Sequence, residues 1–248
     1  MQFDFLERIF VMNIFLEALP PITPTSKVKV FVDIDDTILD YSPAIFKWLY
    51  LKSDNFKAQF PTVIDFLKRT TFDIMPLLEP DLVNECRDYI YDGCYKEMST
   101  TRATSYLSQV GIELFYTAVD PYLAYNVQFY FWSAGDSLHK RHLMQMYNFT
   151  YGTSIDTVTA DVVLTDDNRY RHVNKCAYIA QMLSNDPSIT DVIVVDDQLS
   201  NLEAVAQDIA ILNTIPDRRS PVNHRAYWVR LPYFVEHGKP EMGELDEK

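Results

Sequence analysis

Residues 28–41 read VKVFVDIDDTILDY, a β-branched and aromatic run that stops abruptly on Asp33, Asp35, Asp36 and Thr37. A short run that is apolar at alternating positions on both faces predicts a strand covered on both sides, as in the middle of a parallel sheet. Open α/β sheets gather their chemistry in the crevice outside the carboxyl ends of such strands. Acids clustered there repel one another, and two unit charges about 4 Å apart cost several kcal/mol in a partly buried site. A divalent cation would offset that repulsion, and Mg²⁺ favours one or two carboxylates with waters and a phosphate around it. The plainer reading is a solvated turn in which Asp36 and Thr37 cap a helix.

A second stretch repeats the pattern. Residues 191–197, DVIVVDD, form a short apolar run ending on Asp196 and Asp197, with Asn201 opening a helix behind it. Between the two acidic ends lie two further features. Val127–Trp132 predicts a strand that ends on Ser133-Ala134-Gly135, where small residues let backbone N–H groups approach a phosphate, and Asp136-Ser137 then opens a helix. Farther on, Asn174–Leu183 predicts a helix with Lys175 in its first turn, where the helix dipole disfavours a cation unless it faces an anion. Arg169 and Arg171 compete with Lys175 for that part. One solvated acidic turn is unremarkable, but two such ends on one sheet, with a serine and a lysine between them, are harder to explain structurally.

Taken in order, these residues resemble the four motifs of the haloacid dehalogenase superfamily: Asp-x-Asp-x-Thr at Asp33–Thr37, Ser133, Lys175, and the acidic pair Asp196-Asp197. The resemblance spans roughly residues 28–201 and implies a Rossmann-like three-layer α/β fold with a parallel sheet in the order 5-4-1-2-3. It also implies site roles. Asp33 would be the nucleophile that forms an aspartyl phosphate, and Asp35 would carry the proton to the leaving group and from water. Ser133, with Ala134 and Thr37 beside it, would bind the phosphoryl group, and Lys175 would steady it. Mg²⁺ would be held by Asp33, the backbone carbonyl of Asp35, Asp196 and Asp197. Asn201 stands where some members carry a further acid, which leaves its role open. The second acid, Asp35, is typical of the family's phosphatases rather than its dehalogenases, and the Lys-Thr-Gly-Thr continuation of its ion pumps is absent.

Residues 43–111 separate the first two strands and predict helices at Ala44–Leu51, Pro61–Arg69, Pro80–Met98 and Thr101–Val110, with Gly111 as a stop. So long a connection reads as a helical subdomain, and the resemblance implies a cap over the active site. Its aromatics, among them Tyr50, Phe56, Phe60, Phe66, Tyr89, Tyr91 and Tyr95, are read as core, and none is assigned to substrate. Ile112–Ala124 predicts another helix. The third strand is expected at Asp161–Leu164 and the fifth at Ile209–Leu212, leaving too few residues before Lys175 for the family's larger type of cap. The catalytic core is thus expected over residues 21–42 and 112–232, with an acidic, frayed tail at 233–248.

Residues 1–20 keep helical spacing through Leu6, Ile9, Phe10 and Leu16, and predict a helix packed on the core and ended by Pro20-Pro21. Asp4, Glu7, Arg8 and Glu17 interrupt it well short of the ~20 apolar residues of a membrane span, so a cytoplasmic protein without a signal peptide is expected. A hydrophobic content of 48% is enough for a sizeable core, and the net charge of −13 argues against a broad nucleic-acid-binding face. Cys86, Cys94 and Cys176 lack metal-like spacing, and neither of the first two is followed six positions on by the arginine of a cysteine phosphatase, so all three are read as core thiols. His139 and His142, three apart on a helix, predict an exposed face rather than a metal pair.

The expected activity is Mg²⁺-dependent hydrolysis of a phosphomonoester, with a small phosphorylated metabolite as substrate. The alternatives are a phosphoprotein (phosphotyrosine) phosphatase with an open and shallow site, and a binding protein that kept the fold without turnover.

Overall fold

The computed structural model describes residues 27–69, 74–100, 127–134, 137–160, 162–164, 170–172, 176–216 and 221–228. Strand β1 (Val28–Asp33) is buried at every position and lies between β2 (Val127–Ala134) and β6 (Asp191–Asp196), parallel to both. Beyond them, β3 (Asp156–Ala160) pairs with β2 and β7 (Asn223–Trp228) with β6, giving one five-stranded parallel sheet in the order β3-β2-β1-β6-β7. This is the order 5-4-1-2-3 read from the opposite edge.

Alternation along the strands divides the core into two layers, since successive side chains point to opposite faces. Val28, Val30, Val32, Phe131, Ile193 and Val195 share one apolar cluster with Leu143, Met144 and Tyr147 of α6 (Leu138–Tyr151). Phe31, Tyr130, Trp132, Val192 and Val194 share the other with Ile179 and Leu183 of α7 (Ala177–Asn185) and Leu202, Val205 and Ile209 of α8 (Leu199–Asn213). Helices therefore cover both faces, and the fold is a three-layer α/β arrangement.

The segment between β1 and β2 is helical throughout its described part. It comprises α1 (Tyr41–Lys52), α2 (Asp54–Gln59), α3 (Val63–Leu67), α4 (Pro80–Asp88), a wide π turn (Tyr89–Gly93) and α5 (Cys94–Thr100). Local chemistry starts these helices: Ser53 caps α2, Thr62 and Asp65 form a reciprocal capping box on α3, and Pro80 opens α4. Phe56, Phe66, Cys86, Cys94 and Met98 belong to the same apolar cluster as Val30 and Val32 of β1. The insertion is thus anchored directly on one face of the sheet.

Two expected strands are corrected. The third strand of the sheet is β3 at 156–160; Val162–Leu164 (β4) instead pairs antiparallel with Tyr170–His172 (β5) in a separate two-stranded sheet. β3 reads DTVTA because an edge strand does not need the continuous apolar run of a central one. Ile209–Leu212 continues α8 rather than forming a strand: Leu202, Val205 and Ile209 keep helical spacing on its buried face, and a four-residue apolar run cannot distinguish the two. The fifth strand is the polar β7, NHRAYW.

All three cysteines are buried thiols, and burial pushes that of Cys86 up to about 12. Among the described residues, no helix is long and apolar enough to cross a membrane. The expected N-terminal helix (1–20), the helices at Thr101–Val110 and Ile112–Ala124 and the tail (233–248) lie outside the described residues.

Candidate active site at the strand tips

The chain leaves β1 through a tight turn. Both Ile38 and Leu39 donate backbone N–H groups to the Ile34 carbonyl, at 2.9 and 2.8 Å, and Asp35 bridges to Leu39. Asp36 adopts the left-handed region with φ 58°, which a short polar side chain tolerates better than most. Its carboxylate accepts hydrogen bonds from the Ser42 amide, at 2.7 Å, and the Ser42 hydroxyl, securing the start of α1. Burial pushes Asp36 up to about 6, against the opposing pull of those Ser42 hydrogen bonds. Of the three acids in this stretch, Asp36 is therefore the structural one.

Asp33 and Asp196 occupy the last positions of two neighbouring parallel strands, aligned by the Val32–Val195 register. Both are buried, and one carboxylate oxygen each from Asp33, Asp196 and Asp197 lies within 4.8 Å of the others. Asp196 is oriented by the Gln198 amide at 2.7 Å and by the Asn201 side-chain amide, 3.1 Å from each carboxylate oxygen. Asn201, whose part was open from the sequence, thus holds a member of the acidic group. Three carboxylates converging at a buried strand edge, all with hard oxygen donors, fit a Mg²⁺ ion.

Asp35 directs its side chain elsewhere. Its Oδ2 accepts from the Lys140 ammonium at 2.8 Å and from Ser133 Oγ at 3.4 Å, and its Oδ1 accepts from the Tyr95 hydroxyl at 2.9 Å. Ser133 is completely buried at the end of β2, and Lys140 Nζ also donates to Ser133 Oγ at 2.8 Å and to the Ala134 carbonyl at 3.2 Å. Thr37 is buried beside this turn. Lys140 comes from the first turn of α6, whose N-cap Ser137 accepts from the Lys140 amide. Tyr95 comes from α5 of the insertion, and burial together with the adjacent Asp35 charge holds its hydroxyl well above the ordinary phenol range.

Ser133, Asp35 and the acids 33, 196 and 197 thus gather at one edge of the sheet, whereas Lys175 and Arg169 lie outside the described residues. The sequence reading passed over Lys140 and Tyr95. For Lys140 the signal was present, because a cation in the first turn of a helix, three residues after its N-cap, is the same anomaly that singled out Lys175. For Tyr95 no local signal distinguished it from the neighbouring core aromatics.

A second contact joins the insertion to this edge. Asp92, in the π turn, accepts from Ser137 Oγ at 2.5 Å and lies 3.0 Å from His139 Nδ1 through each of its oxygens. Burial pushes the Asp92 carboxyl up, but its hydrogen bonds from Ser137 and His139 outweigh that and hold it below the ordinary value. His142 is exposed as expected, whereas His139 is half-buried against Asp92.

No family model matches the sequence, and no curated protein matches it. Solved structures that resemble it include haloacid dehalogenase-like hydrolases. A family member from Streptococcus pneumoniae is 13% identical, with a TM-score of 0.45 over 75% of this chain and 82% of its own. A hydrolase from Burkholderia xenovorans is 14% identical, with a TM-score of 0.46 over 88% of this chain and 89% of its own. The hydrolase YfnB of Bacillus subtilis, solved bound to magnesium, is 14% identical, with a TM-score of 0.41 over 86% of this chain and 98% of its own. Similarity at this level assigns neither residue roles nor substrate.

Proposed function

We propose that the chain is a phosphohydrolase of the haloacid dehalogenase type, acting on small phosphomonoesters through an aspartyl-phosphate intermediate. The observation that carries this reading is the convergence of Asp33, Asp196 and Asp197 within 4.8 Å, next to Asp35 with its serine and lysine. Carboxylates gathered this closely, two of them buried, are costly as structure and useful as a cation site. Asp33, Asp196 and Asp197 would hold Mg²⁺, which when bound would offset the negative charge on the phosphoryl oxygens.

In the first step an Asp33 oxygen attacks phosphorus in line, the bond to the leaving oxygen breaks, and that oxygen takes the proton of Asp35. In the second, Asp35 as carboxylate takes a proton from water, the water oxygen bonds to phosphorus, and the bond to Asp33 breaks to release phosphate. Ser133 and Lys140 offer a hydroxyl and an ammonium to the phosphoryl oxygens in both steps. Lys140 is assigned the stabilising part that the resemblance gives to Lys175, because its ammonium already lies against Ser133 and Asp35.

The insertion is read as a cap. The contacts of Tyr95 with Asp35 and of Asp92 with Ser137 support that reading, because both lie close to the strand tips. That arrangement favours a small substrate over a phosphorylated protein surface. Phosphate release from a panel of sugar phosphates, nucleotides and phosphopeptides, with Mg²⁺ and then with EDTA, tests the reading. Turnover of small esters that EDTA abolishes is expected. Hydrolysis confined to phosphopeptides would overturn the substrate class, and no hydrolysis of any ester would overturn the activity.

A further inference from the structure

We infer that Tyr95, carried by the insertion, positions the carboxyl group of Asp35 for both proton transfers, so that acid catalysis depends on the insertion being seated. This deepens the phosphohydrolase reading and rests on Asp35 as its proton carrier.

Asp35 has three polar neighbours, and they differ in what they can hold. The Lys140 ammonium only donates, so it can restrain an Asp35 oxygen only while that oxygen accepts. An arriving phosphate would also compete for it, because Lys140 and Ser133 lie together at the end of β2. Ser133 Oγ lies 3.4 Å from Asp35 Oδ2, at the long end for such a bond. The Tyr95 hydroxyl, 2.9 Å from Oδ1, can donate to the carboxylate or, by rotating its hydrogen, accept from the carboxylic acid. Of the three, it is the close neighbour suited to both protonation states that the two steps require.

Tyr95 is itself firmly placed. It is 3% exposed, its ring stacks on Tyr41 with centroids 5.4 Å apart, and Lys140 Nζ lies 4.6 Å from its centroid. Just before α5, Asp92 binds Ser137 and His139 on α6, the helix that also carries Lys140. The insertion and the core therefore meet at a second point besides the Tyr95–Asp35 bond.

The test is the Tyr95→Phe variant, which keeps the ring and its stacking but removes the hydroxyl. Two substrates are compared: p-nitrophenyl phosphate, whose leaving group departs as a stabilised anion, and an alkyl phosphate such as glycerol phosphate, whose leaving oxygen needs a proton. In single turnover, formation of the aspartyl phosphate from the alkyl ester should slow about 10-fold or more while its formation from p-nitrophenyl phosphate, followed as released p-nitrophenolate, stays within about twofold; hydrolysis of the intermediate, which needs the second proton transfer, should slow equally whichever ester formed it. Tyr89→Phe removes another insertion hydroxyl, the one bonded to Glu97 Oε2, and should show no such split between the esters. In metal-free protein, amide exchange over residues 95–99 should quicken about 10-fold in Tyr95→Phe. Equal losses on both esters in formation of the intermediate, no loss on either, or unchanged exchange would overturn the inference. A wild-type protein inert toward both esters would instead overturn the phosphohydrolase reading, and the role of Tyr95 with it.

Discussion

The sheet buries charged groups at both ends, but it handles them in opposite ways. At the amino end each is matched locally: Lys29 donates to Gln128 and Tyr130, Asp191 accepts from Thr190 Oγ1 at 2.6 Å and Asn223 Nδ2 at 3.0 Å, and the half-exposed Lys27 just outside the sheet pairs with Asp186. At the carboxyl end, Asp33, Asp196 and Asp197 are brought against one another. Matched polar groups are what a buried strand end needs for stability. Gathering like charges, even with Asp196 held by Gln198 and Asn201, is not such a need, and on the reading proposed above the carboxyl end is the functional one. Stability and activity should therefore respond to opposite ends of the same strands.

The largest contrast is between two aspartates. Asp33→Asn should reduce phosphate release by about 10³-fold or more while leaving the thermal midpoint equal or higher, since it removes a nucleophile and one of three crowded charges. An active Asp33→Asn variant would break the contrast at its functional end. Next comes the lysine assignment. Lys140→Ala should lower kcat about 10²-fold, as for loss of one stabilising donor. A larger loss in Lys175→Ala than in Lys140→Ala would return the stabilising part to the later lysine.

At the amino end the expected effects are structural. Asp191→Asn should cost about 1–3 kcal/mol in denaturant unfolding, through the bonds to Thr190 and Asn223, with kcat unchanged. A loss of activity there without a loss of stability would erase the distinction between the ends. The smallest effect concerns His224 on β7, paired with Val192 in the same part of the sheet. Burial lowers its pKa to about 4, and its buried Nε2 has no hydrogen-bond partner among the described residues. The unfolded chain takes up this proton near pH 6.5 and the folded chain only near 4, so its contribution is complete above about pH 6.5 and lost as pH falls toward 4. The thermal midpoint of the wild type should accordingly fall more steeply than that of His224→Gln between about pH 7 and pH 5; parallel curves would show that His224 titrates normally.

The two central acidic strands were legible because their surroundings leave little choice. A strand covered on both faces is largely apolar, so the first acids after Val32 and Val195 mark where the apolar run stops. The strand order was an implication of the family resemblance, and the sheet has that order. The edge strands were not legible, because DTVTA and NHRAYW need no continuous apolar run and do not look like central strands. Tyr95 was hidden for a different reason. In sequence it is one aromatic among several that fill the insertion, and only packing across the chain separates it from Phe56 and Phe66, which are wholly buried in the core. Lys140 was legible in principle, since its place in the first turn of α6 is as unfavourable for a cation as that of Lys175 in its predicted helix.

The central claim is that two strand tips share one cation, and calorimetric titration of Mg²⁺ into the metal-free chain tests it most directly. One ion bound per chain is expected in the wild type, with binding lost or weakened at least about 10-fold in both Asp33→Asn and Asp196→Asn. No binding to the wild type, or undiminished binding in both variants, would contradict it.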